Sequence, residues 1–144
     1  MINVQFPGND FKVKEVADRE MIFDPFRKQW LILTPEEWVR QNFLQWLVQS
    51  LQYPASLISI EREIMLGDLK KRFDIVVYSK TGKPWMLVEC KAMGIALGNE
   101  VLDQVLRYNQ ALEADYLVIT NGSFTKGFCL HPNVLEIDSL PEFV

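Results

Sequence analysis

Cysteine and histidine are almost absent from the 144-residue chain, which has two of the first and one of the second. Cys90 and Cys129 cannot build a disulfide scaffold, and His131 alone cannot anchor a His-rich metal site. A reduced, cytoplasmic setting is the expectation. An excess of positive charge is also lacking: 15 Lys and Arg stand against 19 Asp and Glu, a net charge of −4. A stand-alone domain that grips long nucleic acid is usually basic, because phosphate contacts supply most of the affinity. Any nucleic-acid role must therefore rest on local basic clusters, on metal ions or on a partner. Charge of either sign is missing from Gln41 through Ile60, a window about as long as a membrane span. Gln41, Asn42, Gln45, Gln49 and Gln52 nonetheless recur at helical spacing, and Pro54 interrupts the run. The segment reads as an amphipathic helix and a turn, with no membrane span. The opening MINVQFPGND has no basic stretch followed by an apolar run, so no secretory signal is expected.

With 49% apolar and 24% charged residues, the chain is too apolar for disorder. Its length predicts one domain over residues 1–144. No internal repeat, low-complexity tract or Gly/Ser linker divides it. A hairpin over about 21–33 is expected to precede a core over about 34–130. Its two strands are Met21–Phe23 and Trp30–Leu33, joined by a turn that contains Asp24-Pro25 with Arg27 and Lys28 near its tip. Thr34-Pro35-Glu36-Glu37 opens a helix, with Thr34 suited to the N-cap, Pro35 to the first helical position and Glu37 to the reciprocal place of a capping box. Trp38, Val39, Phe43, Leu44, Leu47 and Leu51 form its apolar stripe.

Three strands follow in the prediction: Leu57–Met65 with Glu61 and Glu63 toward solvent, Phe73–Tyr78 after a basic turn at Lys70-Lys71-Arg72, and Trp85–Lys91. Asn99 is placed as the cap of a second helix over about Glu100–Leu112. Tyr116–Thr120 and Gly127–Leu130 are the last strands. This order predicts an α/β fold, a mixed central sheet flanked by helices.

The chemistry concentrates on two neighbouring strands. A period of two puts Arg72, Asp74 and Val76 on one face, and Trp85, Leu87, Glu89 and Lys91 on one face of the next strand. If the register allows, Asp74, Glu89 and Lys91 converge. The run Trp85–Val88 is apolar on both faces, so these charges stand at the end of a buried strand. Two carboxylates in such a place are costly unless they neutralise a cation or bind one. A hard ion such as Mg²⁺ takes one or two carboxylates plus water and substrate phosphate. Asp74 and Glu89 can supply that pair, with the Cys90 carbonyl as a further oxygen.

"KKRFDIVVY", "GKPWMLVECKA", "DQVLRYN" and "YLVITNG" together resemble the PD-(D/E)xK nuclease superfamily. Within it, the chain is most similar to the nuclease-like amino-terminal domain of type I restriction enzyme R subunits. "IFDPFRKQWLILTPEEWVRQ" resembles the opening of small stand-alone members. The resemblance covers about Met21 to Leu130 and implies a restriction-endonuclease-like fold. It matches Asp74 to the first acid, and Glu89 and Lys91 to the Glu-x-Lys pair, of a metal-dependent phosphodiesterase site. Gln104 and Tyr108 match the Gln-x-x-x-Tyr motif of RecB-like and type I restriction nucleases, and their spacing puts both on one helical flank. Glu37 resembles the helix-borne acid that some members add to the metal site; a capping-box role competes with this. Lys70, Lys71 and Arg72 are candidates for DNA phosphates or simply a solvated basic turn.

The implied activity is Mg²⁺-dependent DNA endonuclease cleavage, with Mn²⁺ able to substitute. Asp74 and Glu89 would hold the metal, Lys91 would orient water or stabilise the transition state, Gln104 would position Lys91 or the water, and Tyr108 would contact the phosphate backbone. Gly82-Lys83 does not make a nucleotide loop, since Val77 and Pro84 stand where a first glycine and a Ser/Thr are required. The motor of type I R subunits is therefore not in this chain. DNA, a separate motor or specificity protein and a homodimer partner are the expected associations. A non-catalytic nucleic-acid or protein interaction module that keeps the fold is the competing reading, and a purely structural ion-pair network is the third.

Overall fold

Residues 1–144 are all described in a computed structural model. Three short antiparallel strands come first: β1 (Val13–Val16), β2 (Arg19–Asp24) and β3 (Gln29–Ile32). The expected hairpin is present as β2 and β3, but β1 adds a strand that the sequence did not announce. All four of its residues are exposed, so no alternation of burial marks it. The β2–β3 turn is held by Asp24, whose Oδ1 accepts from the amides of Phe26 (2.7 Å) and Arg27 (3.1 Å).

Helix α1 (Pro35–Gln45) begins as expected, with the Thr34 hydroxyl accepting from the Glu37 amide at 3.0 Å. It runs on into a π-helical turn, Trp46–Ser50. Val39, Phe43, Leu44 and Leu47 are buried. Two details correct the helical-spacing argument. Trp38, assigned to the apolar stripe, is 39% exposed, whereas Gln41 and Asn42, assigned to the polar side, are buried. Gln41 is drawn inward by a hydrogen bond from its Nε2 to Glu37 Oε2 at 3.1 Å. No helix is long and apolar enough to cross a membrane.

The main sheet contains β4 (Ile58–Leu66), β5 (Leu69–Tyr78), β6 (Pro84–Cys90), β7 (Tyr116–Thr120), β8 (Thr125–Cys129) and β9 (Leu135–Ile137), side by side in chain order. Only β6 and β7 run parallel, and helix α2 (Asn99–Asn109) makes the crossover between them. The sheet is therefore mixed, as expected, and the fold is α/β. Lys70, Lys71 and Arg72 belong to β5 itself, not to a preceding turn. Gly98 takes the cap position assigned to Asn99, which becomes the first helical residue.

The two helices cover opposite faces. Val39, Phe43, Leu44 and Leu47 pack with Ile75, Val77, Met86, Val88 and Cys90, while Val105 packs with Phe73, Val76, Leu87 and Leu117. Alternate residues of β6 thus enter different cores, which explains why this strand is apolar throughout. Phe43 is fully buried in the α1 core. Phe43→Ala should cost about 3–5 kcal/mol in chemical denaturation; a loss below about 1 kcal/mol would mean that α1 is not seated on the sheet as described.

Candidate active site

The sheet is interrupted on both sides of Asp74. Toward β6 the pairing runs Val77↔Met86, Val76↔Leu87 and Ile75↔Val88, then stops, so Asp74 and Glu89 are next in line but unpaired. Toward β4, Ile60↔Ile75 and Arg62↔Phe73 flank a gap at Glu61, whose backbone lies in the left-handed region at φ 54°. Asp74 fills the opening with its side chain. Its Oδ2 accepts from the Cys90 amide at 2.8 Å, and its Oδ1 accepts from Arg40 Nη2 at 2.7 Å.

Arg40 reaches across from α1 and is 8% exposed. Besides Asp74 it meets Glu37 (2.7 Å), Glu61 (2.9 Å) and Glu36 (3.2 Å). Arg27, at the β2–β3 turn, joins this group through Glu61 (2.9 Å) and Glu37 (3.5 Å), and also pairs with the buried Asp24. Arg72 closes it with 3.0 Å to Glu61. Burial alone would depress the Arg40 guanidinium, but the charges of Asp74 and Glu37 outweigh it, and its proton is held more tightly than usual. Glu61 is opposed by burial yet sits below the ordinary carboxylate range, because Arg27 donates to it and Arg40 lies beside it. Glu36 moves the other way, raised by burial and then by the Asp74 charge.

Glu89 lacks such a partner. Lys71 and Lys91 approach its Oε1 at 3.6 and 3.9 Å, both beyond hydrogen-bond distance, and no donor reaches its buried Oε2, which as an acid can share its proton with Asp74. Burial first, then the neighbouring Asp74 charge, pushes its carboxyl from an ordinary 4.5 up to about 8. Counted with Glu89 ionised, six carboxylates (Asp24, Glu36, Glu37, Glu61, Asp74, Glu89) face five cations (Arg27, Arg40, Lys71, Arg72, Lys91). Three guanidinium groups serve five of these acids, while Lys71 and Lys91 stand beside Glu89; what Glu89 lacks is a donor within reach of its buried Oε2, so this corner takes either a proton or an added cation. The donors are hard oxygens, which suit Mg²⁺ or Mn²⁺. No three His, Cys, Asp or Glu side chains converge as a ready cage. Side chains therefore supply two carboxylates at most, and a backbone carbonyl, water or substrate must complete the shell, as Mg²⁺ usually requires.

The cleft above these groups has a volume of about 510 Å³ and no apolar lining residue. Most of the expected residues gather at this cleft. Asp74, Glu89, Lys71 and Arg72 line the cleft, and Lys91, 29% exposed, stands beside Glu89. Lys70 lines it as well, 3.6 Å from Glu63. Glu37 is buried, and Arg40 and Gln41 take its two oxygens, so it reaches Asp74 only through Arg40. Tyr108 is half-buried with Lys71 Nζ 5.4 Å from its ring centre, while Gln104 is exposed on α2 and bonds to no other side chain.

Sequence reasoning missed Arg27, Arg40 and Glu61 as members of the site. Glu61, expected toward solvent, is 26% exposed and receives three guanidinium groups. Arg40 carried a usable signal. It is the sole cation of α1 and lies three and four residues after Glu37 and Glu36, the spacing of helical ion pairs.

A family model described as type I restriction enzyme R protein N terminus (HSDR_N) matches residues 35–143. No curated protein sequence matches the chain. Among solved structures, it is similar to a "putative nuclease belonging to DUF820" from Anabaena variabilis, at 9% identity and a TM-score of 0.49, covering 87% of this chain and 80% of that one.

Two measurements test the electrostatics. Arg40→Met leaves the buried Asp74 and Glu37 without their cation and should cost about 3–5 kcal/mol of stability; a neutral effect would show that solvent already screens the cluster. Glu89 gives a pH signature. Between about pH 4.5 and 8 the folded chain keeps a proton that the unfolded chain has lost, so stability falls as pH rises through that window. In EDTA, the melting temperature of Glu89→Gln should lose less than that of wild type from about pH 5 to about pH 8.5. Parallel profiles would remove the buried, underpaired carboxylate from the account.

Proposed function

The chain belongs to the family of type I restriction enzyme R protein N termini, and on that premise we propose that it is a divalent-metal-dependent DNA endonuclease. One observation carries the reading: Glu89 Oε2 is buried and unpartnered at the opening that Asp74 fills, beside two lysines too distant to neutralise it by hydrogen bonding. Asp74, Glu89 and the Cys90 carbonyl would hold Mg²⁺ or Mn²⁺. Such an ion, when bound, polarises a phosphate oxygen and lowers the pKa of water.

The chain's own residues supply the rest. Arg40 and the Cys90 amide fix the Asp74 carboxylate in place. Lys91, close to Glu89 but outside direct bonding, places an ammonium where charge develops on the scissile phosphate. Lys71, Arg72 and Lys70 offer cations along the cleft to the DNA backbone, and Tyr108 backs the Lys71 ammonium. Gln104 stands one helical turn before Tyr108 and exposed, able to meet bound substrate or water. The net charge of −4 argues for weak, salt-sensitive binding by this chain alone. A separate motor or specificity protein, or a second copy of the chain, would then supply further grip.

A second reading has its own observation. Both Asp74 oxygens already accept hydrogen bonds from within the chain, one of them from a guanidinium. A module that keeps the fold as a binding platform, with Arg40 in permanent charge of the acids, accounts for that.

Nicking assays with Mg²⁺ or Mn²⁺ separate the two. Wild type should cut DNA and stop in EDTA. Lys91→Ala should retain much of its metal binding yet lose at least ~100-fold in rate, since a lost transition-state contact costs about 3 kcal/mol. Asp74→Ala should lose both. Absence of metal-dependent cutting on duplex, single-stranded and branched DNA, with candidate partners present, would leave the platform reading standing.

A further inference from the structure

Away from the cleft, one groove joins exposed apolar side chains to carboxylates without partners. The β1–β2 turn, the end of β3 and the first turn of α1 enclose about 530 Å³. Leu33, Pro35, Trp38 and Met93 form its apolar wall, and Asp18 and Glu20 its acidic one. Trp38 is 39% and Met93 56% exposed, so this wall presents two large apolar side chains to water. The Trp38 indole is braced by the edge of Phe11, ring centres 5.4 Å apart at 66°, so it is held in position. Asp18 and Glu20 enter no ion pair, although the cleft of the same protein pairs almost every acid it has.

We propose that this groove docks a basic peptide segment of a partner protein, with an apolar anchor residue flanked by Lys or Arg. The anchor packs against Trp38, Met93 and Leu33. The flanking cations pair with Asp18 and Glu20, and one lies over the indole face. Charge decides among occupants. DNA and anionic membrane surfaces are repelled by the two free carboxylates, and a second copy of this chain brings its own net charge of −4. A cationic, partly apolar segment is the chemistry that satisfies both walls.

The groove borders two segments that frame the cleft. Met93 follows Lys91 by two residues, and Thr34 and Pro35 open the helix that carries Glu36, Glu37 and Arg40. A docked partner therefore sits beside the cleft without entering it. Docking stands or falls independently of whether that cleft cuts DNA, because its readout is binding.

The test is fluorescence anisotropy with the intact chain and a labelled synthetic peptide carrying Arg and Lys on both sides of a Leu-Phe pair. Wild type should bind, and rising salt should weaken the complex. Trp38→Ala should lose at least ~10-fold in affinity, as removal of an aromatic anchor does. Asp18→Asn with Glu20→Gln should lose a similar factor; Asn tolerates the left-handed backbone of position 18, so that variant keeps its fold. Glu113→Gln, at an exposed site elsewhere, should bind as wild type does. Replacing Leu-Phe by Ser-Ser, or the basic flanks by Glu, should abolish binding. The proposal is overturned if wild type does not bind, if both groove variants bind equally well, or if the Ser-Ser peptide binds equally, which would be charge attraction alone. Sedimentation that finds a dimer dissolved by Trp38→Ala would assign the groove to a second copy and also overturn it.

Discussion

A single guanidinium placed almost out of water organises the middle of this protein. Arg40 touches carboxylates from its own helix, from β4 and from β5. Removing such a cation together with Glu37 and Asp74 from solvent is expensive, and only close, multiple hydrogen bonds return that cost. The consequence is mechanical. Helix α1 is fixed relative to β4 and β5 by charge as well as by Phe43 and Leu44, and Arg27 extends the same network to the small sheet through Asp24 and Glu61. Where the β5–β6 ladder stops, the Cys90 amide donates to the Asp74 carboxylate in place of a backbone carbonyl.

Much of this architecture was legible in the sequence because its signals are local. Thr34 and Pro35 marked the start of α1, the doubly apolar run after Trp85 marked a strand covered on both faces, and a single long crossover implied the one parallel pair. Asp74 and Glu89 come next in register, the juxtaposition expected from period-two alternation on neighbouring strands. Gln41 was misread because amphipathic counting treats an amide as solvated, whereas here Glu37, one turn earlier on the same helix and tied to Arg40, draws it inside. Trp38 was misread the same way, since its exposure depends on Phe11 and the groove rather than on its own helix. Arg40, Arg27 and Glu61 belong together only through contacts separated by 21 and 34 positions, which no local pattern contains.

The cleft has an arginine side and a lysine side, and the two hold their carboxylates differently. On the α1 side, guanidinium groups answer Asp24, Glu37, Glu61 and one oxygen of Asp74. On the β6 side, Glu89 keeps a buried oxygen with nothing to accept from. A network that existed only to hold the fold would gain by an arginine at Lys71 or Lys91, whose planar fork could reach both Glu89 oxygens. Lysines stand there instead, 3.6 and 3.9 Å away, near enough to moderate the charge and too far to consume it. The first side fixes Asp74; the second leaves Glu89 with two ammonium groups nearby and no donor on its buried oxygen. On the proposed reading, an added divalent ion would bind that oxygen where Asp74 and Glu89, from adjacent strands, come next in register.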